Sequence, residues 1–252
     1  MHPAPVRVIA LHGFLGRASD WDALGPWLPW AEIDAVDLWA IADAAADDDP
    51  WASIGLLLER ELGRRIPPGA PTIVVAYSFG ARLTLAVEAL AGGRLPVAGV
   101  CLVSCNPGLA DDDLHARARR LADDEAWAER FERSDEEEIR RAWEAQPVLA
   151  AARRAPVSRA GWTLPASRAT LAAAMRRFSL ARQPDRRPRL HGWATPLLWV
   201  TGEEDRKFGG IARNLQAAGV PARFAECPRA GHRVPWDSPE GFAGILAAWN
   251  VE

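Results

Sequence analysis

Lysine is nearly absent from this chain: of 30 basic residues, Lys207 is the only lysine and the rest are arginine. Tyrosine is as scarce, with Tyr77 standing alone, and there are three cysteines. No apolar run approaches the roughly 18 residues of a membrane span, and the N-terminus has no apolar core with a cleavage site. The expected location is therefore the cytoplasm, and so few cysteines suit a reducing compartment. Cys101 and Cys105 are four apart on an expected strand. At roughly 3.3 Å per residue about 13 Å would separate them, too far for a disulfide, which needs Cα atoms within about 7 Å. No Cys/His spacing suits a metal and no Gly-rich phosphate loop is present, so neither a metal nor a cofactor is expected. A net charge of −3 gives no electrostatic reason for a nucleic-acid or membrane partner.

What is present is an ordinary globular composition, with 49% hydrophobic and 25% charged residues over 252 positions. That length suits one domain, with or without an inserted lid, as a monomer or small homo-oligomer. Short apolar runs alternate with helical stretches, the pattern of a mostly parallel sheet flanked by helices. Strands are expected near 6–11, 33–37, 72–77, 98–104, 196–201 and 222–227. Helices are expected near 20–28, 52–64, 79–91, 208–218 and 239–249. Between 110 and 190 the strand signal stops. Charges become dense, apolar residues fall at helical spacing (Leu114, Ala118, Leu121, then Trp127 and Phe131), and prolines at 147, 156, 165 and 184 punctuate the stretch. An all-helical lid over 110–190, inserted into a core of 1–109 and 191–252, is the expected division. Of the twelve tryptophans, Trp21, Trp27, Trp199 and Trp249 sit at positions expected to pack inside. Asp47-Asp48-Asp49-Pro50 reads as a solvated loop.

The chemistry is carried by Ala76-Tyr77-Ser78-Phe79-Gly80-Ala81-Arg82, which follows the apolar run Thr72–Val75. A buried strand ending in small-x-Ser-x-Gly and running into a helix resembles the nucleophile elbow of α/β-hydrolases, with Ala76 in place of the usual first glycine. Such a turn lifts the serine hydroxyl clear of the sheet beside a helix N-terminus, where free N–H groups favour negative charge. Two partners follow in the order this fold requires: Asp205, after the run 196–200, and His232, after 223–227. A lone Asp in a turn is usually a cap, and a lone His after Gly usually a loop residue. Their joint occurrence at strand ends after Ser78 favours a triad. His12-Gly13-Phe14, after the first strand, is where this fold supplies an oxyanion-hole N–H. Arg82 lies one helical turn after Ser78, and Arg117 and Arg120 share a face of a lid helix.

Beyond the triad, much of the chain is similar to the 2-succinyl-6-hydroxy-2,4-cyclohexadiene-1-carboxylate synthases of menaquinone biosynthesis. The likeness includes His12-Gly13-Phe14-Leu15-Gly16, Tyr77 to Arg82 and Asn106-Pro107-Gly108-Leu109. In the lid it rests on Arg117-x-x-Arg120, Asp124-x-x-Trp127 with Arg130-Phe131, Trp143-x-x-Gln146-Pro147-Val148, Thr170-Leu171 and Gln183-Pro184-Asp185. It continues through Gly202-Glu203-x-Asp205-x-Lys207-Phe208 and Ala230-Gly231-His232. The resemblance implies a lyase that removes pyruvate from an enolpyruvyl cyclohexene, with Ser78, His232 and Asp205 acting as a base and the N–H groups of Phe14 and Phe79 holding the oxyanion. It also implies that Tyr77, Arg82, Arg117, Arg120 and Trp143 contact a small carboxylate substrate. Lys207 is expected to pair with an acidic neighbour. Two departures bear on the substrate and not on the triad. The family's Pro-Gly-His-Gly loop is replaced by Asp37-Leu38-Trp39-Ala40-Ile41-Ala42. One lid arginine has no clean match either: Thr163 falls near its place, and Arg159 or Arg168 could serve only through a shifted register.

Two other readings remain open. One is a carboxylesterase or carbon–carbon hydrolase in which Ser78 forms an acyl-enzyme. The other is a binding module on a hydrolase scaffold, which the intact triad disfavours.

Overall fold

Six strands, all parallel, form one sheet in the order β2-β1-β3-β4-β5-β6. They belong to a computed structural model that describes residues 5–152 and 162–249. The chain runs through β1 (Val6–Leu11), a 3-10 stretch (Ala18–Trp27), β2 (Ala31–Val36), α1 (Leu38–Asp43), α2 (Pro50–Arg65), β3 (Thr72–Tyr77), α3 (Phe79–Thr84), α4 (Glu88–Ala91) and β4 (Gly99–Val103). Next come α5 (Leu114–Arg133), α6 (Glu136–Glu144), a 3-10 turn (Pro147–Ala152), α7 (Arg168–Arg177) and α8 (Arg187–Leu190). The sheet then resumes with β5 (Leu197–Gly202), α9 (Arg206–Ala217), β6 (Arg223–Cys227), α10 (Val234–Asp237) and α11 (Pro239–Ala248).

The central strands β3, β4 and β5 are buried along their whole length, whereas the edges β2 and β6 are partly exposed. Burial on both faces explains their near-continuous apolar composition. Alternate residues feed two core layers. Ile9, Leu11, Val74, Ala76, Val100, Leu102 and Trp199 face one layer. Val8, Ala10, Ile73, Val75, Cys101, Val103, Leu198 and Val200 face the other. Cys101, Cys105 and Cys227 are buried free thiols.

The winding reverses at β1, which pairs with β2 on one side and β3 on the other. The crevice beyond the carboxyl ends of β1 and β3 is thus the switch point where open α/β sheets bind ligands. His12-Gly13-Phe14 and Ser78 both emerge into it.

Several expectations need correction. The helix expected over 79–91 is broken into α3 and α4. The Ala86 carbonyl, released from the helical ladder, lies against Gly55 of α2 so closely that a Cβ there would come within 2.3 Å of it. The helix expected near 20–28 is a 3-10 stretch, because Gly25 and Pro26 cannot sustain an α ladder. After β2, where the sequence departs from the family's loop, Asp37 accepts from Trp39 N and caps α1. Asp49 likewise caps α2 through Ala52 N at 3.0 Å, while Asp47 pairs with Arg177 of α7. Trp21, Trp199 and Trp249 are buried as expected, but Trp27 is 43% exposed. On α5 the apolar spacing misleads: Leu114 and Leu121 face solvent, and Ala128 and Phe131 form the buried face.

Between β4 and β5 the described residues contain helices and no strand. The two ends of this segment are tied together, with Gln183 Nε2 donating to the Asn106 carbonyl and Arg186 N to that of Pro107. Gly108, at φ +123°, lies so close to Pro184 that a Cβ would sit 2.9 Å from its carbonyl. Pro156 and Arg159 lie outside the described residues.

Candidate active site

Ser78 occupies the tight turn between β3 and α3, with φ 49° and ψ −103°. Left-handed backbone at a non-glycine residue costs about 1–3 kcal/mol and persists where its surroundings impose it. Here they do. Ser78 N donates to the Val103 carbonyl at 2.9 Å, and Gly80 N donates to that of His12 at 3.1 Å. Position 80 must be glycine, since a Cβ would lie 2.7 Å from the His12 oxygen.

The elbow points Ser78 Oγ at His232 Nε2, 3.0 Å away, and His232 Nδ1 stands 2.8 Å from Asp205 Oδ2. A carboxylate can only accept, so Nδ1 carries the proton and Nε2 is left to accept from the serine hydroxyl. Asp205 and His232 are 6% and 5% exposed, which strengthens this pairing relative to water. Both readings of Asp205 coexist, because its Oδ1 accepts from Phe208 N at 3.1 Å and caps α9. The Phe208 ring packs 4.4 Å from that of His232. Gly202 makes the approach of these loops possible, as a Cβ there would lie 2.1 Å from the Gly231 carbonyl.

Neither Phe14 N nor Phe79 N donates to a described residue. The loop carrying Phe14 is shaped by the buried His12. His12 Nε2 accepts from Leu38 N at 3.1 Å, which leaves Nδ1 to donate to the Gly13 carbonyl at 2.8 Å. Over this loop lies an aromatic wall: Phe14 meets Trp39, Phe79, Phe131 and Trp143, the last stacked at 5.5 Å. Phe131 comes from α5 and Trp143 from α6, so helices between β4 and β5 pack against this loop. Tyr77 is buried behind His232, 5.6 Å ring to ring, and burial pushes its phenol well above the usual range.

The expected cations fare differently. Arg82 is half-buried over Trp51 and has no carboxylate partner among the described residues. It donates to Gln183 Oε1 at 2.7 Å and to the Phe178 carbonyl at 2.6 Å. Burial, with Arg120 nearby, pulls its guanidinium down to about 9. Arg120 bonds Asp124 through Nε alone, and Asp124 is further held by Ser179. Arg117, by contrast, is fully engaged. It donates to the carbonyls of Ala110, Leu109, Ala181 and Gln183 and to Asp111, stapling the two ends of the insertion. Lys207 has no ion pair among the described residues, contrary to expectation, and desolvation together with Arg120 lowers its ammonium below the ordinary lysine range. Arg17 bonds Thr163 and the Leu164 carbonyl, and so joins the oxyanion loop to the insertion. Arg17 and Gln183 gave no signal as site-building residues, since contacts across 101 to 146 positions leave no local pattern; Asp124 meets Arg120 one helical turn away, and only its bond to Ser179, 55 positions on, is non-local. Arg168 heads α7, and Arg176 of that helix pairs outward with Glu125 and Glu132.

The sequence pattern of the Alpha/beta hydrolase family matches residues 8–245. The chain belongs to that family. Within it, this α/β-hydrolase is 34% identical over 258 residues to the 2-succinyl-6-hydroxy-2,4-cyclohexadiene-1-carboxylate synthase of Serratia proteamaculans, covering 97% of this chain and 92% of that protein. Its fold is shared with MenH from S. aureus, at a TM-score of 0.81 and 22% identity over 98% of this chain and 94% of the other. A thermophilic esterase from Thermogutta terrifontis shares it at a TM-score of 0.62 and 20% identity, over 98% and 90% of the two chains. The scaffold therefore serves more than one chemistry, and residues in front of Ser78 must decide which.

Proposed function

We propose that this enzyme is a pyruvate-eliminating lyase acting on an enolpyruvyl cyclohexene with several carboxylates, the reaction class of the synthases it resembles. The observation that carries the reading is the half-buried Arg82 beside the elbow, with Arg120 near it and no ion-paired carboxylate among the described residues. A partly desolvated cation whose direct partners are neutral is costly, and a substrate carboxylate would offset that cost. The aromatic wall of Phe14, Trp39 and Trp143 suits the ring of such a substrate.

In the proposed mechanism His232 Nε2 takes the Ser78 proton, Asp205 steadies the resulting imidazolium, and the serine oxygen removes a proton from carbon next to the succinyl ketone. The N–H groups of Phe14 and Phe79 hold the enolate oxygen. Return of the electron pair expels enolpyruvate by breaking the carbon–oxygen bond, and enolpyruvate takes up the proton held on His232 to become pyruvate, which restores the neutral imidazole. No acyl-enzyme forms. Tyr77 backs His232, and Arg117 holds the inserted helices in place as a lid instead of clamping substrate.

Pyruvate release from the enolpyruvyl precursor, run beside p-nitrophenyl acetate hydrolysis, tests this. Fast release that depends on Ser78, with feeble ester cleavage, is the expected result. Ester cleavage without pyruvate would make the protein a serine hydrolase under a lyase-like lid.

A further inference from the structure

Four non-glycine residues among those described have left-handed backbone: Leu15, Ser78, Ser104 and Arg229. All four lie beyond strand ends around the candidate site. Leu15 follows the oxyanion residue, Ser78 is the elbow and Arg229 opens the loop to His232. Backbone strain concentrates where geometry is functional, and Ser104 is the one of the four with no part assigned so far.

Ser104 directly follows β4 at φ 50° and is fully buried. Its N–H continues the ladder to the Val200 carbonyl at 2.8 Å, and its hydroxyl donates to the carbonyl of His232 at 2.8 Å. β4 lies between β3, which leads into Ser78, and β5, which leads to Asp205. One hydroxyl thus ties the histidine's main chain to the strand between its two partners. The preceding residues of that loop are held from elsewhere. Ala230 O accepts from Glu204 N, and Gly231 N donates to Asp237 Oδ2.

We infer that Ser104 is a positioning residue for His232, its hydroxyl fixing the histidine's carbonyl while the ring exchanges protons with Ser78. This rests on the triad reading above. Catalytic geometry tolerates little displacement, and a buried carbonyl stripped of its donor would seek another.

The test uses the whole chain, with Ser104→Ala and Ser104→Gly. Both remove the hydroxyl, but glycine accepts the left-handed backbone without strain, so at least that variant should fold. Two readouts are needed, kcat and KM for pyruvate release, and proton NMR of the His232 Nδ1–H signal with the titration of its ring. Expected in both variants is a kcat lower by on the order of tenfold, KM within about twofold of wild type, a faster-exchanging Nδ1–H and a displaced ring titration. An unmoved His232 signal in the two variants overturns the inference, and so does wild-type kcat in Ser104→Gly. Failure of the triad reading itself would show separately, as turnover surviving in His232→Ala. The NMR readout on Ser104 would still decide this proposal in that case.

Discussion

At the scale of single residues, Asp205 has two jobs on two oxygens: Oδ1 caps α9 and Oδ2 orients His232. Substitution can separate them. Asp205→Asn retains a capping oxygen but cannot accept from Nδ1–H in the same way, so kcat should fall by about 10⁴-fold with little change in melting temperature. Asp205→Ala should lose the same activity and about 1 kcal/mol of stability besides, read by thermal unfolding. Equal melting temperatures for the two would remove the capping role. Ser78→Ala and His232→Ala should each abolish turnover in a folded protein, and unimpaired pyruvate release in either would take the triad out of the mechanism. Arg82 carries a binding prediction. A guanidinium stays charged across the working pH range, so Arg82→Ala should raise KM for a carboxylate substrate by about tenfold or more while kcat changes much less. Steady-state kinetics check this, and an unchanged kcat/KM would remove the clamp.

Among elements, the stem of the inserted helices is the joint on which the site depends. Arg117 satisfies carbonyls from both ends of the insertion. Arg117→Ala should cost about 2–3 kcal/mol by leaving them unpaired, lowering the melting temperature by roughly 5–10 °C for a chain of this size. KM should change little compared with Arg82→Ala. If KM rose tenfold while the melting temperature held, Arg117 would be a substrate clamp after all. The contact of α2 with the α3–α4 break makes a second test. Gly55→Ala would drive a Cβ to within 2.3 Å of the Ala86 carbonyl, a clash with backbone that should destabilise by about 1–3 kcal/mol. These elements also show where pattern reading fails. Gly25 and Pro26 were visible in the sequence, yet a 3-10 path and an α path bury similar residues. The apolar spacing of Leu114, Ala118 and Leu121 was real but faces solvent, because Ala128 and Phe131, further along α5, set which side turns inward.

For the molecule as a whole, the candidate site is shared between the sheet, which supplies Ser78, Asp205 and His232, and the inserted helices, which supply Arg120 and Trp143. A ligand spanning both should stabilise both together. An aromatic dicarboxylate at 100 times its Kd should raise the unfolding free energy by about 2.7 kcal/mol through mass action, and its Kd should weaken with added salt. Arg82→Ala should show neither effect in calorimetry. Much of this was legible beforehand. The central strands β3, β4 and β5 and their parallel pairing follow from short, nearly continuous apolar runs separated by helical stretches, because a strand buried on both faces tolerates little else, whereas β2 and β6 carry charges where the sheet edges meet solvent. The elbow and the order Ser, Asp, His were likewise readable, since a nucleophile at a strand end needs small neighbours in adjacent positions, and adjacency survives in sequence. What tertiary structure alone decided is which charges are spent and which are free. Arg82, Arg117 and Arg120 look alike as letters on helices, yet one is wholly engaged by distant carbonyls, one is half-paired with Asp124, and one lacks any described carboxylate partner. Ser104 gave no signal at all, because a hydroxyl reaching a carbonyl 128 positions away is a consequence of strand order and backbone handedness. Local propensity and periodicity act over a few residues, whereas the electrostatic fate of a side chain depends on everything packed around it.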